Sequence, residues 1–193
     1  MCIRDRIIPE VVHRYFAASL GLLAICLVFI AFKEQKMKKE SIALLLIIIG
    51  QGIFGYLTVS LKLHPLIVTS HLFGAMIVTS LFLVIFMKSL KITNSYLILV
   101  RNKPYIMVGF VLIISQIFLG AWTSTNYAAR ACLDLPYCQG ELIPNTNFEE
   151  GFNLFQSIGP NYLYGQMSNE ARVAIHLTHR IGAIIVFFYS IFL

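Results

Sequence analysis

The sequence predicts an all-α polytopic membrane protein, and three observations carry that prediction. Of 193 residues, 58% are hydrophobic and only 12% charged, with a mean hydropathy of +0.79; the polar surface is too small to coat a water-soluble globule. Five apolar segments, roughly 8–32, 42–60, 65–87, 105–123 and 172–193, are long enough for the ~20 helical residues that cross a hydrocarbon core about 30 Å thick. Two polar motifs each occur twice inside those segments, so the chain reads as duplicated, with a histidine site in each half.

The net charge of +6 does not point to nucleic acid, because the bases lie between spans rather than on a soluble module. Lys33, Lys36, Lys38 and Lys39 crowd the first connection and Lys88, Lys91, Arg101 and Lys103 the third. The second connection has Lys62, and the long fourth, 124–171, only Arg130. By the positive-inside rule the first and third connections are cytoplasmic, which leaves the start of the chain and the Cys132 loop outside and Leu193 inside. An odd number of spans, the first opening almost at Met1 and the last running to Leu193, reads as an incomplete chain. Met1–Arg6 has neither the long apolar region nor the cleavage site of a signal peptide and is given no role.

The first span carries Glu10, His13 and Arg14 at its outer end and is apolar thereafter. Glu10 and His13 are three residues apart and share a helical face. Interface anchoring is the plain alternative for such a cluster, but intramembrane ionisable groups are functional candidates by default. The second span holds Gln51-Gly52-Ile53-Phe54-Gly55-Tyr56-Leu57-Thr58, repeated in the fourth as Gln116-Ile117-Phe118-Leu119-Gly120-Ala121-Trp122-Thr123. Small residues and helix-to-helix hydrogen bonds explain that repeat as packing, which is the favoured reading for Gly55, Gly120 and the threonines.

The third span opens with Leu63-His64-Pro65 and places His71 seven residues further on. His64 sits at the water boundary before a proline suited to a first helical turn and calls for no special role. His71 lies deeper, where an imidazole needs a partner, and is the better ligand candidate. The fifth span contains His176-Leu177-Thr178-His179-Arg180, sharing His-Arg-x-x-Ala with His13-Arg14-Tyr15-Phe16-Ala17. Under the charge-derived topology His13, His71 and His179 fall at one depth, roughly 10 Å in from the outer face at about 1.5 Å per residue.

The loop 124–171 holds Cys132 and Cys138. Six apart with Pro136 between, and facing an oxidising exterior, they suit a small disulfide loop better than a metal site. Cys26, mid-helix, reads as a small hydrophobe, and Cys2 has no evident partner. The aromatic run Phe148, Phe152, Phe155, Tyr162 and Tyr164 suggests an interfacial helix and lid.

Histidines on separate antiparallel helices at one depth suit a haem held between two axial imidazoles in a helix bundle. His176 and His179 leave their helix on the same side and cannot be the two ligands of one haem, so the natural pair is His13 with His71. Zinc would want three or four converging ligands.

Taken together, Glu-x-x-His-Arg, His-x-x-His-Arg, the repeated Gln-x-x-x-Gly-x-x-Thr, the Cys-x5-Cys loop and the run Asn169–Arg180 resemble the haem A synthase family, over nearly all of residues 7–193. The resemblance implies antiparallel transmembrane four-helix-bundle halves related by pseudo-symmetry, eight spans of which this chain matches the second to sixth. It assigns 7–88 to the N-terminal half and 105–193, with the external loop 124–171, to part of the C-terminal half. It implies that His13 and His71 hold haem O as substrate, that His179 is one axial ligand of a haem b, and that Cys132 and Cys138 form the loop disulfide. Glu10 matches the family's essential acidic residue, and Arg14 and Arg180 are candidates for haem propionates, with interface anchoring an equal alternative. The implied reaction oxidises a haem O methyl to formyl, giving haem A for terminal oxidases, in the cytoplasmic membrane. A haem O synthase and an electron donor are candidate partners, and homo-oligomerisation is open. The alternative class is a di-haem b-type electron-transfer subunit without catalysis, using the same histidines; a transporter is disfavoured because the spans are apolar near the midplane.

Overall fold

The computed structural model describes residues 4–90, 102–156 and 166–192, with side chains from Ile8 onward. Cys2, Lys91, Arg101, Tyr162 and Tyr164, which enter the readings above, lie outside the described residues. Each apolar run becomes one long helix: α1 (Arg4–Lys33), α2 (Lys38–Ser60), α3 (Pro65–Ser89), α4 (Lys103–Thr125) and α6 (Asn169–Phe192). A four-residue helix, α5 (Phe148–Gly151), and a 3₁₀ turn, Ala128–Arg130, lie in the long connection. All five long helices have the length and hydropathy of membrane spans, and among the described residues the one extended pairing is an isolated bridge between Cys138 and Glu141. The chain is therefore an all-α, multi-pass membrane protein. Its helices turn large apolar side chains outward, Phe29, Phe187 and Phe192 among them, which is stable only where lipid rather than water is the solvent.

Local chemistry sets the helix ends. Pro65 opens α3 and a proline stands in the first turn of α4, where the missing N–H would have no helical partner anyway. Gln35 and Met37 after α1, and Lys62 and Leu63 after α2, take left-handed backbone angles that reverse the chain within a few residues. Such short connections set consecutive helices antiparallel.

The chain forms two compact units. The first comprises α1, α2 as far as Ile53, and α3 from Gly74 on. Its core is Ala24, Leu44, Val78 and Ile85, flanked by Leu20, Leu27 and Leu81. An ion pair between Lys88 and Glu40 ties α3 to α2 near their ends. Gln51 lies so close over Gly74 that a Cβ there would overlap its amide.

The second unit comprises α2 from Phe54, α3 up to Phe73, and everything after α3. Its core is Trp122, Ala128, Met167, Ala171 and Ile175, with Leu66 and Phe118 against it. Phe118 stacks on Trp122 at 5.8 Å, and the buried indole N–H donates to the Gly151 carbonyl at 2.8 Å, so the ring has both an apolar bed and a polar partner. Antiparallel contact between α4 and α6 is completed at the far end by Tyr189, whose hydroxyl donates to the Tyr105 carbonyl at 2.8 Å.

Side chains carry the long connection. Asn147 caps α5 by accepting the Glu150 N–H at 3.1 Å. Glu150 in turn accepts the Ser168 N–H at 2.7 Å and hydroxyl at 2.6 Å, and the Ser168 oxygen caps the Ala171 N–H at the start of α6. Ser168 thereby holds the Glu150 carboxyl below its ordinary pKa, since both bonds favour the charged form. The expected aromatic helix is thus confined to α5, with Phe152 and Phe155 already beyond it.

Candidate functional site

The organising residue of the second unit is His179. Its imidazole, partly buried, lies across Gly120 of α4: a Cβ on that glycine would sit 3.3 Å from Cε1. One turn earlier on α4, Gln116 reaches the same residue twice. Its side-chain nitrogen is 3.0 Å from His179 Nδ1 and 3.1 Å from the His179 carbonyl. Among the described residues the oxygen of that amide is buried with no hydrogen-bond partner, and it crowds Gly182, where a side chain would collide with it.

The α2–α3 pair repeats the relation. Gly55 faces His71, with a Cβ position 3.6 Å from Cε1, and Gln51, four residues before Gly55, packs on Gly74, three residues after His71. In both cases Gln-x-x-x-Gly on one helix is matched by His-x-x-Gly on its neighbour. Residue spacing exposes the first half of that match; the second, His71-Leu72-Phe73-Gly74 and His179-Arg180-Ile181-Gly182, carries no signal of its own because its meaning depends on helix register. The glycines read from sequence as packing residues do pack, but what they accommodate is an imidazole.

His13 and Glu10 stand exposed on α1. Glu10 accepts from the Arg14 guanidinium at 2.7 Å, an i,i+4 pair. That partner is one residue beyond His13, the neighbour that the i,i+3 spacing singles out.

Three other residues take structural positions. His176 has Nδ1 2.9 Å from the Ala128 carbonyl, fixing the 3₁₀ turn against α6. Arg180 donates to the carbonyls of Cys132 at 2.7 Å, Asp134 at 2.9 Å and Tyr137 at 3.1 Å, so its guanidinium clamps the loop. His64 is buried rather than bathed in water, and its Nε2 is 3.0 Å from the Gln156 carbonyl.

The loop that Arg180 holds is closed by a disulfide between Cys132 and Cys138, and both half-cystines pack on Val173 of α6. Inside it Asp134 accepts the N–H groups of Gln139 at 2.9 Å and Gly140 at 2.8 Å. Gly140 takes φ of +80°, a backbone angle glycine adopts without penalty. The Gly140 N–H, first among its partners, holds the Asp134 carboxyl below the ordinary value. Among the described residues Cys26, exposed on α1, is free.

Among the described residues no three His, Cys, Asp or Glu side chains converge on one point. Two of the candidate donors, His71 and His179, are single histidines seated on Gly55 and Gly120, whereas His13 stands exposed on α1. Single imidazoles are donors of the kind that haem iron takes.

The profile of the COX15-CtaA family, described as cytochrome oxidase assembly protein, matches residues 4–193. A heme A synthase of Shewanella oneidensis is 40% identical over 179 residues, covering 91% of this chain and 54% of the relative. A heme A synthase of Halalkalibacterium halodurans is 28% identical over 166 residues, covering 81% and 55%. The chain spans about half the length of these curated relatives. No solved structure matches it significantly.

Proposed function

The chain belongs to the COX15-CtaA family of cytochrome oxidase assembly proteins, and on that premise we propose that it acts in haem A synthesis, oxidising a methyl group of haem O to formyl. His13 and His71 are the proposed ligands of the substrate haem O. His179 is the proposed axial ligand of a haem b, which when bound would supply one-electron chemistry. The observation that carries the reading is the doubled seat: His71 on Gly55 and His179 on Gly120, with Gln51 and Gln116 one turn away on the same faces. Two sites built alike support two haems held in pseudo-symmetric four-helix halves, 7–88 and 105–193.

Within that reading the protein's residues bind, orient and move protons. The glycines leave room for the imidazoles to lie against α2 and α4. Oxidising a methyl to formyl by successive hydroxylations is coupled to proton transfer, and Glu10, one turn from His13, is the proposed group that passes protons. Arg180 gives its donors to the loop carbonyls, which supports a part in holding the disulfide loop over one in binding propionates. The loop bearing Cys132 is proposed to be external and the 33–40 connection cytoplasmic; a probe at Lys36 that labels from outside intact cells, with Asn147 protected, would reverse this.

One observation favours the second reading, a di-haem electron carrier without chemistry: Glu10 is exposed and paired with Arg14, as an anchoring charge would be. Pigment analysis of the purified protein separates the two. Haem O and haem A alongside haem b support synthesis, and haem b alone supports the carrier.

A further inference from the structure

The contacts of Gln116 reach beyond packing. Its amide is anchored on α4, one turn before Gly120, and meets both the ring and the backbone of His179. The space is prepared from both sides, since Gly120 lets the imidazole lie flat on α4 and Gly182 lets the amide lie flat on α6. A side chain at either glycine would displace one partner of the pair.

The proton inventory makes the contact specific. With the amide nitrogen toward Nδ1, that ring atom is the acceptor and Nε2 carries the hydrogen. An imidazole that gives Nε2 to iron needs the hydrogen on Nδ1 and an acceptor facing it. Gln116 holds such an acceptor in reserve: its amide oxygen is buried without a donor among the described residues, and a half-turn of the amide exchanges oxygen and nitrogen. That half-turn pairs the amide oxygen with the Nδ1 hydrogen, gives up the bond to the His179 carbonyl, which keeps its place in the helical ladder, and moves the amide nitrogen to the place beside Gly182 that the oxygen held.

We propose that Gln116 is a positioning residue for His179: its amide fixes the ring orientation and accepts the Nδ1 hydrogen, so that Nε2 is the atom presented to haem iron. This rests on the reading of His179 as an axial ligand.

The test uses the intact membrane protein with its haem bound, read by redox titration and by low-temperature electron paramagnetic resonance of the ferric low-spin signal. Gln116→Leu removes the acceptor, and Gln116→Glu replaces it with a stronger one. Losing a group that orients a ligating histidine costs about 10–100-fold in metal affinity. If the ferric form loses tenfold and the ferrous form nothing, the midpoint of the Leu variant rises by about 59 mV. The Glu variant moves the midpoint below wild type, because a carboxylate draws the Nδ1 hydrogen more strongly, and Gly182→Ala moves it in the direction of Leu. Should Gln116→Leu fail to keep haem at all, the Glu variant decides by the sign of its shift. Unchanged midpoints and spectra in the Leu and Glu variants, with His179→Ala losing the haem, overturn the positioning role and leave the ligand reading standing. Retention of that haem in His179→Ala overturns both.

Discussion

Gly120 on α4 lies directly across from His179 on α6, with its Cβ position 3.3 Å from Cε1 of the imidazole. A methyl group there is tight, and a larger side chain has no room unless the ring swings away. Overpacking of this kind costs roughly 1–3 kcal/mol, and here the strain falls on the ring that is the proposed ligand. Gly120→Ala should keep most haem, whereas Gly120→Leu should lose most of it while the helices still assemble. Haem-to-protein ratio and helical circular dichroism, measured together, check this; full haem occupancy in Gly120→Leu would mean the glycine is unrelated to the site.

Arg180 is expected to act on the loop. Its guanidinium satisfies the carbonyls of Cys132, Asp134 and Tyr137, and hydrogen bonds to charged groups contribute about 1.5–3 kcal/mol each. Arg180→Gln should raise amide exchange at Gln139 and Gly140 by about tenfold or more, 1.4 kcal/mol per decade, with the disulfide intact. Hydrogen exchange read by mass spectrometry follows it, and unchanged protection would show that the disulfide and Asp134 suffice.

These relations differ in how far they were legible in sequence. The five helices were, because lipid selects long apolar runs and each run, in chain order, became one helix with a few polar residues added at its ends. So was the Cys132–Cys138 bond, since two cysteines in so short a loop have little choice of partner. The i,i+3 pairing of Glu10 with His13 hid the i,i+4 ion pair with Arg14, which opposite charges on a helix prefer. Gln116 with His179, and Arg180 with the loop, join residues far apart in the chain. They depend on how α4 and the loop register against α6, which no local pattern encodes.

The junction of α5 with α6 should be acid-sensitive. Glu150 has its carboxyl pKa lowered by Ser168, so it contributes stability that is present above the ordinary carboxylate value of 4.5 and is lost as pH falls through the lower folded value. Limited proteolysis between Phe148 and Ser168 should accelerate below that value in the wild type. In Glu150→Gln the junction should be looser at neutral pH and show little further change on acidification; an identical acid response in both proteins would remove Glu150 as the cause.

Glu10 separates enzyme from electron carrier. Glu10→Gln keeps the shape of the side chain but cannot carry a proton, and general acid or base help is typically worth about 10²–10⁴-fold. Cells expressing the variant should contain haem O or a hydroxylated intermediate and only traces of haem A on chromatographic separation. Haem A at wild-type yield would leave Glu10 as the anchoring partner of Arg14.

The central claim is that the histidines serve two separate sites, and replacing them one at a time in the intact protein tests it most directly. Reduced-minus-oxidised spectra with extracted pigments should show that His179→Ala loses the haem b signal, whereas His13→Ala and His71→Ala keep haem b and lose the conversion of haem O. Loss of the same single species from all three variants would mean one shared site and would contradict the account.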